Sequence, residues 1–100
     1  MSIIQYCHDI AFLCRVRYEV FSRDIDNFEG IQEQIDLGLF RVIERMKADF
    51  QLHTPEAMFV FDKFFWTYLE DAEDWIYAKS VFGRDFEHTK DTLKEYLESV

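Results

Sequence analysis

Two stretches of the chain carry side chains of the kinds that bind metals or move protons, and each falls short in its spacing. Asp24-Ile25-Asp26-Asn27-Phe28-Glu29-Gly30 has the carboxylate density of a calcium loop. Such a loop needs an oxygen ligand at its fifth position, glycine at its sixth and a bidentate Glu at its twelfth. Here Phe28 is fifth, Gly30 is seventh and Ile35 is twelfth, so the run reads as a capped helix turn. Further on, Glu70, Asp71, Glu73 and Asp74 form a tight acidic cluster, and Asp85-x-x-His88 is half of a carboxylate-bridged pattern. A di-metal site in a four-helix bundle requires Glu-x-x-His on two helices and an inward Glu on two more. No Glu-x-x-His occurs in the chain. The cluster is therefore read as a solvated acidic surface, with no metal and no cofactor expected.

Catalysis by a nucleophile has little to start from. His8, His53 and His88 fall in separate segments, and no Ser, Cys or Thr stands in a recognisable nucleophile setting. Glycine-rich phosphate loops are absent. Cys7 and Cys14 lie seven residues apart, which on one helix places them on a shared face about 10 Å apart along the axis, beyond disulfide reach. They are expected as reduced core residues, and no catalytic residue is assigned.

The elements that must position these residues are helical. Thr54-Pro55-Glu56 opens a helix: Thr caps free backbone N–H groups, Pro at the first helical position sacrifices no hydrogen bond, and Glu favours the positive end of the macrodipole. Met58, Phe61, Phe65, Leu69, Ala72 and Ile76 then recur at the spacing of one helical face, widened by Phe64, Tyr68 and Trp75. Gly83 after Phe82 is a left-handed stop. A helix over 54–82 runs on the order of 40 Å, long for a chain this size, so a kink or an end near Glu73 is allowed for. Phe61 and Phe65 are its expected core anchors.

Ahead of it, Ser2-Ile3-Ile4-Gln5 is a capping box that starts a helix over 2–23. Its seam is Ile4, Cys7, Ala11, Cys14, Tyr18 and Phe21, running on to Ile25 and Phe28 and broadened by Ile10, Leu13, Val16 and Val20. The strand alternation over 14–20 is the weaker reading, because the helical seam runs unbroken on both sides of it. Asp26-Asn27-Phe28-Glu29 caps a second helix over 28–51, apolar through Ile31, Ile35, Leu39, Val42, Ile43, Met46 and Phe50. A turn near 24–27 makes these two an antiparallel hairpin whose paired positions sum to about 51, bringing Arg15 towards Asp36 and Asp9 towards Arg41. A short last helix opens at Asp85 and docks through Phe86, Leu93, Leu97 and Val100. The expected fold is all-α, a single-domain antiparallel bundle of about four helices built around the long aromatic-rich third one, spanning residues 1–100.

Composition narrows the function. Asp and Glu outnumber Lys and Arg by 20 to 11, giving a net charge of −9, so a phosphate-binding surface would work against the global field and direct nucleic-acid binding is not expected. No apolar run is long enough to span a bilayer and no secretory leader is recognisable, so no membrane partner and a cytoplasmic location are expected. Aromatic residues make up 18% of the chain. They exceed what the core holds if Phe12, Phe40, Phe59, Trp66 and Tyr77 sit on or beside polar stripes. Exposed aromatics are the favoured anchors of interfaces. The leading expectation is a noncatalytic acidic interaction module, such as a small regulator, inhibitor, immunity protein or adaptor. It would self-associate as a homodimer or hold a basic or nucleic-acid-binding protein, with Phe12, Phe40, Phe59, Trp66 and Tyr77 at the interface and Glu70, Asp71, Glu73 and Asp74 as acidic surface. In the hairpin register Phe12 and Phe40 lie nearly level and form one apolar patch. The alternatives are an inhibitor that mimics nucleic acid in a DNA- or RNA-binding groove, and an enzyme or ligand carrier with a pocket in the bundle.

Overall fold

The computed structural model describes residues 2–22 and 28–98. Five α-helices are present among them: α1 (Ile3–Ser22), α2 (Phe28–Asp49), α3 (Pro55–Asp71), α4 (Glu73–Phe82) and α5 (His88–Glu98), with a 3-10 turn at Gly83–Glu87. The all-α bundle expected from the hydrophobic periodicity is what forms, and residues 14–20 are helical. The turn expected at 24–27 with its capping signal, the seam positions Ile25 and Val100, and the Phe28 side chain lie outside what is described. None of the described helices is long and apolar enough to cross a membrane.

Local chemistry sets most of the helix ends. The Ser2 Oγ accepts from the Gln5 backbone N–H at 3.1 Å, but the Gln5 side chain turns forward to Asp9, so only half of the capping box is made. Thr54 is extended, and its hydroxyl oxygen accepts from the Ala57 N–H with Pro55 in the first turn. Gly83 ends α4 at φ 64°. At the end of α2 the left-handed residue is Gln51, at φ 54°. The Leu52 N–H donates to the Lys47 carbonyl and the Gln51 N–H to that of Ala48, the paired bonds of a Schellman stop. That turn drives Leu52 into the core.

The third helix breaks where the sequence allowed it to. Ala72 is extended at ψ 138°, dividing α3 from α4. In an unbroken helix Glu73 and Asp74 would crowd Glu70 and Asp71; with the break they occupy the first turn of α4, where the macrodipole favours carboxylates. The break also resets the helical phase. Trp75 and Ala78 turn inward, while Ile76, expected on the core face, is exposed.

One cluster of buried side chains joins all five helices. Phe61 and Phe65 stack in it as expected, with ring centroids 5.9 Å apart. The α1 seam is rotated from the expected one: Tyr6 and Ile10 are fully buried, whereas Ile4 and Phe21 are exposed. Tyr6 enters the core because its hydroxyl donates to the Asp49 carboxylate, satisfying the polar tip. Helices α1 and α2 are antiparallel, but Arg17 rather than Arg15 reaches Asp36, at 2.7 Å. With Tyr6 opposite Asp49, paired positions sum to 53–55, two to four above the expected register. Helix α4 runs beside α1 in the same direction, from Arg15–Asp74 to the Tyr18–Phe82 ring pair at 4.6 Å. Helix α5 closes the bundle between α2 and α3, through Tyr96 on Phe40 and Lys90 on Glu70.

Candidate functional site

Of the five aromatics expected at an interface, four have partners within the chain. Phe40 meets Tyr96 edge to face at 5.7 Å, which turns it towards α5. Phe12 lies on the side of α1 opposite its buried residues and is exposed, so the two Phe residues point along different flanks and the single patch expected from them is not the arrangement seen. Trp66 is half-buried; its Nε1 donates to Asp62 at 2.7 Å and its ring meets Phe65. Tyr77 is exposed but lies under the Arg15 guanidinium at 3.8 Å, and Phe59 is exposed beneath the Lys63 ammonium at 4.7 Å.

The acidic surface is partly neutralised. Glu70 pairs with Lys90 at 2.6 Å and Asp74 with Arg15 at 2.9 Å, while Asp71 and Glu73 are exposed. Arg15 also holds Glu19, and these two carboxylates push its guanidinium pKa further up. Among the described residues no group of three His, Cys, Asp or Glu side chains is placed to hold a metal ion. His8, His53 and His88 are exposed, on α1, in the loop before α3 and at the start of α5. Cys7 and Cys14 are free and buried. Burial pushes the Cys7 thiol up to about 12 and raises that of Cys14 as well, so neither is a thiolate near neutrality.

The side chains that stand out are Phe64 and Tyr68, which the sequence placed on the core face, together with Val60. Val60, Phe64 and Tyr68 repeat at every fourth residue of α3 and are 58%, 57% and 39% exposed. They form one apolar stripe about 12 Å long along the helix. α5 packs against the other flank of α3, at Trp66 and Glu70, so it leaves this stripe uncovered. Past the break α4 adds Ile76, Tyr77 and Val81, each about half exposed. The signal was in the sequence: Phe64 and Tyr68 lie up to a third of a turn off the axis of the Phe61–Phe65–Leu69 face, and a helix covered on one flank buries only part of so wide an apolar arc.

A concavity lies on the α5 side. A groove of about 660 Å³ opens between the last turns of α2, the start of α3 and the end of α5. Comparison with protein-family models, with curated proteins and with solved structures finds no match to this chain.

Proposed function

We propose that the chain is a noncatalytic protein–protein interaction module that self-associates through the outer flank of α3 and α4. The observation that supports this reading is the uncovered Val60–Phe64–Tyr68 stripe. Large apolar side chains grouped on one helix flank lose free energy in water and recover it against a partner. Together with Ile76, Tyr77 and Val81 they offer on the order of 600 Å² of apolar surface, at about 100 Å² for each half-exposed side chain. A stable dimer buries about 800 Å² per partner, of which about two-thirds is apolar. The quantity matches a homodimer of modest affinity.

A chain of net charge −9 also suits a basic partner, with Asp71 and Glu73 as its contacts. The pairing of Glu70 and Asp74 with cations of this chain argues against mimicry of a phosphate backbone, which needs its carboxylates free and evenly spaced. Sedimentation equilibrium of the wild type and of a Val60→Ser/Phe64→Ser/Tyr68→Ser variant tests the self-association. The wild type is expected to approach twice 12.2 kDa at hundreds of micromolar, and the variant to stay at 12.2 kDa with unchanged helical circular dichroism. A wild type that stays monomeric at hundreds of micromolar, or a variant that dimerises equally, would overturn it.

A further inference from the structure

We infer that the groove between α2, α3 and α5 binds a small amphipathic amine, a molecule with a protonated ammonium head and an unbranched apolar tail. Its volume of about 660 Å³ falls within the range of small-molecule sites, about 300–1,000 Å³. Leu52, Met58 and Leu97 supply an apolar wall from three separate stretches of the chain. Leu52 is placed there by the Schellman stop of α2, Met58 by the first turns of α3 and Leu97 by the last turn of α5. A hydrocarbon tail lies against such a wall without leaving a polar group unpaired.

The charge around the groove selects the head. Glu44, Asp62 and Glu98 stand on its lining against Lys47 and Lys94. The two ammoniums are not equivalent. Lys47 is 8% exposed, and its Nζ is turned to the Tyr96 carbonyl at 3.1 Å and to Glu44 at 3.4 Å, so its charge is held in the wall and matched by one of the three acids. Asp62 is half-buried; the Trp66 indole N–H that it accepts is neutral and leaves the carboxylate charge in place. Neither Asp62 nor Glu98 makes an ion pair among the described residues, and within the lining only the exposed Lys94 opposes them. Lys63 lies over the Phe59 ring and outside the lining. The backbone adds the same sign. The last turns of α2 and α5 and the first turn of α3 border the groove, so two negative helix ends meet it against one positive end, and the positive end is already capped by the Thr54 hydroxyl oxygen. In a chain of net charge −9 such a groove attracts a cation and repels an anion. An ammonium head brings the hydrogen-bond donors and the positive charge that Asp62 and Glu98 lack. The site is independent of the α3–α4 flank, since Val60, Phe64 and Tyr68 are not part of its lining.

The test is a titration of the 15N-labelled full chain at pH 7 with decylammonium below its micelle concentration, run beside decanoate and decanol. Decylammonium is expected to bind saturably, shifting the amides of Leu52, Met58, Asp62 and Leu97, and at least tenfold more tightly than decanoate. Octylammonium, two methylenes shorter, should bind about tenfold more weakly. Asp62→Asn/Glu98→Gln should weaken decylammonium about tenfold while leaving decanol binding and the circular dichroism unchanged. Asp71→Asn/Glu73→Gln removes the same two charges far from the groove and should leave the decylammonium affinity within about twofold. Equal weakening by the two double variants overturns the proposal, because the cation then answers only to the net charge of the chain. Equal binding of decylammonium and decanoate overturns it, as does the absence of saturable shifts. Concentration-dependent shifts of the same amides without added amine also overturn it, because they place a second copy in the groove.

Discussion

Phe64 and Phe65 are chemically identical neighbours with opposite fates, which makes them the sharpest test of the helix phase. Phe65 is 0% exposed and lies between Phe61 at 5.9 Å and Trp66 at 5.2 Å, with its carbonyl accepting a hydrogen bond from the Cys7 Sγ. Phe64 is 57% exposed. Truncating a buried Phe to Ala costs about 3–5 kcal/mol in lost transfer energy and residual cavity. That is a large part of the roughly 5–15 kcal/mol that holds a small domain folded. Phe65→Ala should therefore lower the melting temperature by more than about 12 °C, at about 4–8 °C per kcal/mol for a chain this size. Phe64→Ala, a surface change, should stay within about 0.5 kcal/mol in monomer stability. Urea unfolding followed at 222 nm, at a protein concentration where the chain is monomeric, measures both. Equal losses in the two variants, or an unchanged Phe65→Ala, would show that the face of α3 is misassigned.

Three further outcomes are expected. The two positive-φ positions among the described residues respond in opposite directions: Gly83→Ala forces a Cβ into a left-handed backbone and should cost about 1 kcal/mol or more, although nothing lies within 4 Å of that Cβ. Gln51→Gly should gain up to about 1 kcal/mol by relieving the same strain; both are read by urea midpoint. The buried thiols make the fold sensitive to alkali. Cys7 and Cys14 stay protonated when folded but ionise near 9.0 when unfolded, so their contribution is intact below pH 9 and is lost as pH rises towards 12. At about 1.4 kcal/mol per unit for each thiol, urea stability should fall by about 2–3 kcal/mol between pH 8 and pH 10, and a flat profile would contradict their burial. Self-association between two copies of an acidic chain should strengthen with salt as like charges are screened, whereas capture of a basic partner should weaken. Sedimentation at 50 and 500 mM NaCl distinguishes them.

What the sequence made legible was local. Thr54-Pro55 and Gly83 act on the backbone within a turn of themselves, and both ends fall where their chemistry puts them. The hairpin register was off by two to four residues because helical periodicity fixes which face is apolar but not how far one helix slides along another. That slide is set by pairs such as Tyr6–Asp49 and Arg17–Asp36, which lie 43 and 19 residues apart in the chain. Ile76 left the core face while Trp75 moved to its centre because a single extended residue, Ala72, restarts the helical count. Lys47 is buried because α5 brings the Tyr96 carbonyl to it, a contact that no local pattern announces. The groove had no sequence signature for the same reason, since its lining comes from three elements that meet only in the folded chain.

The claim that the outer flank of α3 and α4 is an interface is tested most directly by a dilution series of the methyl- and aromatic-labelled protein in solution. Resonances of Val60, Phe64, Tyr68 and Ile76 should shift together between 10 µM and 1 mM along a single monomer–dimer isotherm, while those of Leu37 on α2 and of the groove residues Leu52 and Leu97 stay fixed. Concentration-independent spectra, or shifts confined to α2 and α5, would contradict the account.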